Sequence, residues 1–586
     1  MPSAAQSAGG RSSSAISAAA TLLLLFGMGL CLSTGGKAAT VMPGSPTTRA
    51  AYKAPAASSG KRDSLEIGYV TDIEGNLDYF DRWVERSRVL RYKPGTTELE
   101  LTHDRAYFVF GGDVQDRCGG SLRLTRRLVE LKKRNPEKVF LICGNRDLNK
   151  LRFTSELGAA DLARPASEIP GPHWDPNAPT LHKYLSDLAE TQGTTAEALD
   201  TRCERLRYYL KHTLGCPTTF EDRRGELGVL QGDGGSSSYP EGKQLSVPIS
   251  DDAVVDSFLA DIGEGGALRG YLEHGSLACV LGNTIFVHGC LDSSNIKLVP
   301  SDSTRFHLPL APQPMHTVEG VREWADAMNS YLQRGVQAHV QRPEWDAERQ
   351  TRGCDMLLAA QNRCAMWGRC IISGAYADGG CITSPNANAT RERISAEAES
   401  TGNPLIFERT TSDPCDPVVA EWLLAAGVRR IVVGHKPSGD SPAVLSSSYT
   451  GVEVLSCDTS YADLANDKRT GRGKAISWVR IEGESLDRNA ATVSGCLADG
   501  RAHEATLATL SSAGQADDVP GDEPHVGTEL EDGWWVKARL LNADAPGTAS
   551  NGGEKAKLGG EGQAAGQTYH LCQGEGRTVN HKDAVL

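Results

Sequence analysis

The sequence predicts an α/β fold, and three observations carry that prediction. Leu65–Thr71 (L-E-I-G-Y-V-T), Tyr107–Phe110 (Y-F-V-F) and Val139–Cys143 (V-F-L-I-C) have the length and the β-branched or aromatic content of buried strands. Each run stops at a polar loop and is followed by a helical segment, so β-loop-α recurs three times. Ligands of such sheets bind beyond the carboxyl ends of the strands, and there the chain places Asp72, Glu74, Asp113, Asp116, Asn145 and Arg146 on one rim.

Composition bounds the rest. The 586 residues are 39% hydrophobic and 23% charged, which suits a soluble body with one core and insertions. The net charge of −13, without a long basic run, argues against non-specific nucleic-acid binding. It leaves a phosphorylated ligand open, because a local cationic or metal-filled cleft overrides the global sign. Arg11 is the only charge before Lys37, and the apolar run Ala18–Leu32 lies between them. Residues 1–39 therefore read as a signal peptide, with a cleavage site among the small residues Gly35–Ala39, or as a signal anchor spanning 12–36. Entry into the secretory pathway is expected, with the folded domain secreted or held on the luminal or extracellular side. A plastid or mitochondrial leader is the alternative for this Ser/Ala-rich start. Residues 40–62 read as a flexible linker. Of 15 cysteines, Cys31 falls in the leader and an even number remains. Cys354, Cys364, Cys370, Cys381 and Cys415 crowd one region, and Cys203 lies near Cys216. Disulfides among these are expected in an oxidising compartment. Asn388-Ala389-Thr390 is a glycosylation sequon.

In chain order, the first strand, Leu65–Thr71, ends at Asp72-Ile73-Glu74-Gly75-Asn76, and a helix follows over about 78–87. Thr97–Leu101 is a short edge-strand candidate. The strand at Tyr107 ends at Gly111-Gly112, where the backbone can turn, and presents Asp113, Asp116 and Arg117. A helix with Leu122, Leu128 and Leu131 on one face comes next. The strand Val139–Cys143 ends at Gly144-Asn145-Arg146-Asp147. Residues 151–275 break the rhythm and read as a helical cap inserted into a domain that runs from 63 to 500. Leu277–Leu281 and Thr284–Val287 form a hairpin about Gly282-Asn283, ending at His288-Gly289. A second helical insertion covers about 295–420. Val428–Val433 then leads to Gly434-His435-Lys436-Pro437, and Val452–Leu455 to Asp458. Residues 501–586 read as a C-terminal extension, disordered at 511–525 and 543–566, with short strands at Trp534–Leu541 and Thr568–Cys572.

Five strand ends thus carry D-x-E, G-D-x-x-D-R, G-N-R-D, V-H-G and G-H-K-P. In order and context they resemble the calcineurin-like metallophosphoesterases, nearest the branch of Ser/Thr protein phosphatases and diadenosine tetraphosphatases. The likeness covers roughly 64–150, 277–292 and 428–460. It implies a sandwich of two mixed β-sheets flanked by helices, and two divalent metal ions. By resemblance Asp113 bridges them, Asp72 and Glu74 complete one metal, and Asn145, His288 and His435 the other. The metal pair would generate a hydroxide that attacks phosphorus. Arg117 would grip the phosphate oxygens, helped by Arg146 and Asn145, and Asp116 would orient a neighbour.

Two residues depart from the family pattern. Glu74 replaces a His, which favours manganese, iron or magnesium over zinc. Arg146 replaces the His that would protonate the leaving group, and Arg cannot release its proton. Arg146 could stabilise phosphoryl charge or pair with Asp147 or Glu74, while His173 and His212 of the cap are alternative acids. Each residue also has a plainer reading. Asp72 and Asp113 could cap helices, Asn145 could be a turn residue, His288 and His435 could be core imidazoles, and Lys150 and Arg152, which could add positive charge for substrate, could lie on a solvated helix face. The expected function is hydrolysis of phosphomonoesters, of a phosphoprotein or a small organic phosphate. The alternatives are a nucleotide or polyphosphate anhydride hydrolase, which asks less of an acid, and a catalytically degenerate phosphate-binding protein.

Overall fold

The first strand of the computed structural model, β1 (Leu65–Val70), is buried along its whole length. The structure describes residues 64–172, 178–232, 248–291, 295–303, 314–359, 415, 417–447, 451–459, 475–531, 533–541, 567–575 and 578–586. The leader, the linker, His173, the sequon and Cys364, Cys370 and Cys381 lie outside them. No helix among the described residues is long and apolar enough to cross a membrane.

β2 (Leu90–Tyr92) and β3 (Leu99–Leu101) pair with each other. β4 (Ala106–Phe110) runs parallel to β1, with Ile67 opposite Tyr107, and β5 (Val139–Leu141) runs parallel to β4. β6 (Ala278–Leu281) and β7 (Thr284–Val287) form the expected hairpin, and β8 (Leu298–Pro300) pairs with β9 (Met315–Thr317). β10 (Arg430–Val433), β11 (Ala443–Ser446) and β12 (Glu453–Ser456) follow. The chain then adds β13 (Ile476–Ser485), β14 (Arg488–Cys496), β15 (Ala502–Ser511), β16 (Trp535–Leu540), β17 (Thr568–Glu575) and β18 (Thr578–Val585). Two large mixed sheets result. Their orders are β18-β17-β16-β15-β14-β13-β1-β4-β5 and β11-β12-β10-β7-β6.

Side-chain alternation explains the layers. Ile67, Tyr69 and Val109 project into a core shared with Phe286, Val432 and Leu455 of the smaller sheet. The Tyr69 and Phe286 rings stack with centroids 5.8 Å apart. Phe108 and Phe110 project the other way, onto Phe80, Trp83, Leu124, Leu128 and Tyr271 of the flanking helices. The fold is therefore the expected α/β arrangement of two mixed sheets flanked by helices.

The C-terminal region differs from expectation. Residues 501–586 supply β15 to β18 of the larger sheet, so residue 500 is not a boundary in the fold. Residues 511–525 are ordered by backbone bonds, among them Thr509 N to Val519 O at 2.8 Å and Val519 N back to Thr509 O at 3.0 Å. Polar composition suggested disorder there because it does not register cross-strand pairing. The expected disorder at 543–566 falls outside the described residues. Disulfides are absent among the described cysteines. Cys203 and Cys216 stay apart, because Cys216 turns inward to donate to Asp116 at 3.0 Å and Cys203 faces Asp252.

The helical insertion between 151 and 275 contains helices at Leu181–Gln192, Arg202–Tyr208, Thr219–Gln231, Asp251–Ile262 and Ala267–Glu273. It is fastened to the sheet by a cap. The helix Ser121–Arg134 begins at Gly120, which has no capping side chain. Glu226 of the insertion replaces it, accepting from the Leu122 and Arg123 amides at 3.0 Å each. The later insertion is described mainly by the long helix Val321–Gln341.

Candidate metal centre

The strand ends are bent into an unusual backbone. Six non-glycine residues among those described have positive φ, and four of them are predicted ligands: Asp72 (53°), Glu74 (48°), Asp113 (52°) and His435 (67°). This left-handed region is unfavourable for residues with a side chain and recurs at functional sites. Neighbouring glycines leave room for the turned side chains. A Cβ on Gly112 would lie 2.6 Å from His288 Nδ1, and Cβ atoms on Gly144 and Gly434 would strike the carboxylates of Asp113 and Asp72. The loops also brace one another, Asp72 N donating to Gly112 O and Glu74 N to Asp113 O at 3.0 Å each. The helix-capping reading of the acids fails. Asn76 caps the helix Leu77–Glu85, and Gly120 precedes the helix after β4.

Asp113, His288 and His435 bring ligand atoms within 4.8 Å of one another. His288 Nδ1 donates to the Gly111 carbonyl at 2.9 Å, which fixes the tautomer and leaves the lone pair on Nε2. Nε2 faces Asn145 Oδ1 at 3.1 Å and Asp113 Oδ2 at 3.5 Å. Three lone-pair atoms thus converge, and only a cation or a proton can reconcile them. Neighbouring ligands of an octahedral ion bound at about 2.1 Å lie about 3 Å apart, which matches these separations. Asn145 opens the short helix Asn145–Asn149 with its side chain turned to His288. Asp72 stands beside this group, with Oδ2 accepting from the Thr71 hydroxyl and from His435 N.

Glu74 is held elsewhere. Arg117 Nε lies 3.1 Å from its Oε2 and Arg146 Nε 3.1 Å from its Oε1. With Asp116 and Cys216 it forms a separate group of candidate ligand atoms. The structure therefore gathers the Asp113–Asn145–His288–His435 half of the expected set more completely than the Asp72–Glu74 half. Arg146, 13% exposed in its side chain, also contacts Asp113 Oδ2 at 3.5 Å, binds Asp116 closely, and donates to Leu214 O at 3.0 Å. Its carboxylate partners are Glu74, Asp116 and Asp113. Asp147, the other partner considered, accepts instead from the amides of Asp113, Val114 and Gly144. Arg117 is more open, with its side chain 30% exposed.

The electrostatics register a shortage of positive charge. Burial and the nearby Asp458 carboxylate push Asp72 well above the usual carboxylate range. Burial lifts Glu74 to about 7 in spite of its two guanidiniums. Burial opposes a charge on His288 as well, yet Asp113 and Asp72 raise it to about 10. Asp113 and Asp116 are buried but stay below the ordinary range. His288 and Arg146 hold Asp113 down, and Lys150 and Arg146 hold Asp116 at about 2. A site whose acids resist ionisation while its imidazole holds a proton favours an added cation. The donor chemistry, the tautomer and the glycine-lined space all fit a metal.

Residues outside the five motifs complete the site. Lys150 is buried at 1% exposure rather than solvated, donating to Gln115 O and Arg146 O at 3.0 Å each. Cys216 and Thr219 arrive from the insertion to bond Asp116. Their partners lie about a hundred residues away, so no local pattern marks them. His212, considered as an acid, packs between the rings of Tyr184 and Tyr208.

No protein-family model matches the chain, and no curated protein does. Among solved structures, a cold-active protein-tyrosine phosphatase of a psychrophilic Shewanella species aligns at 12% identity. The alignment covers 76% of this chain and 80% of that one, with a TM-score of 0.32. A Saccharomyces cerevisiae protein serine/threonine phosphatase aligns at 10% identity over 72% of this chain and 73% of that one, with a TM-score of 0.27.

Proposed function

We propose that this protein is a metal-dependent hydrolase of phosphomonoesters, acting on a phosphoprotein or a small organic phosphate. The observation that carries the reading is the convergence of His288 Nε2, Asn145 Oδ1 and Asp113 Oδ2, which in the metal-free site only a second proton on His288 can join. Asp113, Asn145, His288 and His435 would hold one divalent ion. Asp72, across from Asp113, is the candidate for a second, which Glu74 joins only by releasing a guanidinium. The oxygen-rich set favours manganese, iron or magnesium. Such ions supply, when bound, an ionised water near neutral pH and charge neutralisation at phosphorus.

The chain's own residues divide the remaining work. Arg117, half-open at the rim, orients a phosphate through the guanidinium nitrogens not paired with Glu74. Arg146 fixes Asp116, Glu74 and Asp113 and cannot donate a proton. That observation favours substrates with good leaving groups, so aryl phosphates or phosphoanhydrides rank above alkyl esters. The leader further suggests that the enzyme works in the secretory pathway.

Metal analysis of the purified full chain, with p-nitrophenyl phosphate turnover in added manganese, tests this. Bound metal and manganese-dependent turnover are expected, and both should fall in Asp113→Asn. A folded protein with neither bound metal nor turnover at any pH would favour a degenerate phosphate binder.

A further inference from the structure

A second cluster of metal-ligating side chains lies apart from the candidate centre. Asp440 follows His435 in the loop after β10, while His570 and His581 stand on β17 and β18. Their ligand atoms lie within 4.8 Å of one another. His570 Nε2 is 3.1 Å and His581 Nε2 3.5 Å from Asp440 Oδ1. Donor pairs around a tetrahedral zinc bound at about 2.0–2.1 Å lie about 3.3 Å apart.

The imidazoles are arranged as ligands are. His570 pairs across the strands with Asp583, and His581 with Cys572, which puts both imidazoles on one face of the sheet. The rings stack with centroids 5.0 Å apart and planes 8° from parallel. His570 Nδ1 lies 2.8 Å from Asp583 Oδ1, the carboxylate-behind-histidine arrangement that orients metal ligands. A neutral imidazole has one N–H for these two carboxylates, so the Asp440 side of His570 needs another cation or a second proton. A further imidazole, His503 on β15, is 1% exposed on the same face, and neither of its ring nitrogens has a hydrogen-bond partner. Gly439 brings the loop onto this face. Its φ is +103°, and a Cβ there would strike the His581 ring.

One group opposes a cation. Lys537, fully buried, donates to Ser438 O at 2.8 Å and stands 3.8 Å from Asp440 Oδ1 and 3.4 Å from His581 Nε2. Its ammonium competes for the same lone pairs, and that makes it the discriminating position.

We propose that Asp440, His570 and His581 form a structural site for a zinc-like divalent ion, tying the last two strands to the loop that carries His435. The two nitrogens and one oxygen suit a borderline ion, in contrast to the oxygen-rich candidate centre. The proposal does not depend on phosphatase activity.

Zinc content of the folded full chain tests it in an Asp113→Asn, His288→Ala background, which disables the candidate centre. About one equivalent of zinc should remain, held by three protein ligands with a fourth position left for water. Adding His570→Ala and His581→Ala should remove it. Lys537→Met should tighten zinc binding at least about tenfold, because a like charge leaves the site. If the histidine variants do not fold, the Lys537→Met titration decides alone. Zinc content unaffected by the histidine changes, or a Lys537→Met protein that binds zinc no better, would overturn the site and leave a buried ion network.

Discussion

The two sheets bring different chemistry to the candidate centre. The ends of β1, β4 and β5 supply oxygen donors, Asp72, Asp113 and Asn145, together with Glu74 and Asp116. The ends of β7 and β10 supply nitrogen, His288 and His435. The oxygen half is crowded with like charge and held by side-chain ion pairs, with Arg146 and Lys150 sealed among the acids. The nitrogen half is positioned largely by backbone, through Gly111 O on His288 and the Gly434 N to His288 O bond of 2.9 Å. The insertions follow the same division. Glu226, Cys216 and Thr219 of the first brace the oxygen side. Asn329 of the second bonds Leu277 N and the backbone of Ala278, covering β6 at the edge of the smaller sheet. The halves should therefore fail differently: the oxygen half by losing charge balance, the nitrogen half by losing a ligand.

Arg146→Met should have the largest effect, because it strands buried carboxylates. A loss of about 3–5 kcal/mol in urea unfolding of the metal-free protein is expected. Arg117→Met, at the open rim, should lose far less, and equal losses would break the contrast. On the nitrogen side, His288→Ala should weaken manganese binding by about a hundredfold or more, since even outer partners of a metal ligand contribute ten- to a hundredfold. Its metal-free stability should change less than that of Arg146→Met.

Acid–base behaviour should unite the halves, because protons and a bound cation compete for the same groups. Glu74, raised to about 7, binds a proton in the folded state that the unfolded state releases near its ordinary value of 4.5. Its protonated form therefore favours the fold, and this contribution is lost as pH rises from about 4.5 to 7. His288, raised to about 10, contributes stability that is full below 6.5 and fades as pH rises toward 10. Metal-free protein should accordingly lose about 1–3 kcal/mol between pH 4.5 and 7 from the Glu74 contribution, measured by chemical denaturation. Glu74→Gln should flatten that slope. Manganese binding should release protons, seen as a buffer-dependent heat in calorimetry. The smallest effect is expected from Glu226→Gln, about 1 kcal/mol or somewhat more, as the cap of Ser121–Arg134 weakens. Loss of turnover larger than this destabilisation explains would mean that the insertion shapes the oxygen half directly.

Much of this was legible in the sequence because strand ends are local features. Apolar runs closed by a short polar or glycine-containing loop marked β1, β4, β5, β7 and β10 and their polar ends. The partners that the insertion supplies to those ends were not legible, since Cys216 and Glu226 acquire their roles only through distant contacts. The tail failed for another reason. β14 and β15 bury a sparse apolar set, Ala491 and Val493 in β14 and Ala505 and Leu507 in β15, that alternates with polar residues such as Ser494 and Thr506. Weak alternation of this kind reads as loop until a neighbouring strand is known. Glu74 shows the limit of motif position. It stands where a ligand belongs, but Arg146, one of its expected alternatives as a partner, and Arg117, which no pattern ties to it, hold its carboxylate.

The position of β1 also shapes how the chain matures. β1 lies between β4, which follows soon after it in the chain, and β13, where Ile67 meets Ile481. During synthesis at about 5–20 residues per second, one edge of β1 stays open for tens of seconds before its antiparallel partner emerges. Closing so long a loop places this pairing late and exposes a bare, apolar strand meanwhile. The acids beyond β1 are thus completed among the last parts of the molecule, and a nascent chain stalled before β13 has an edge free to pair with a neighbouring copy.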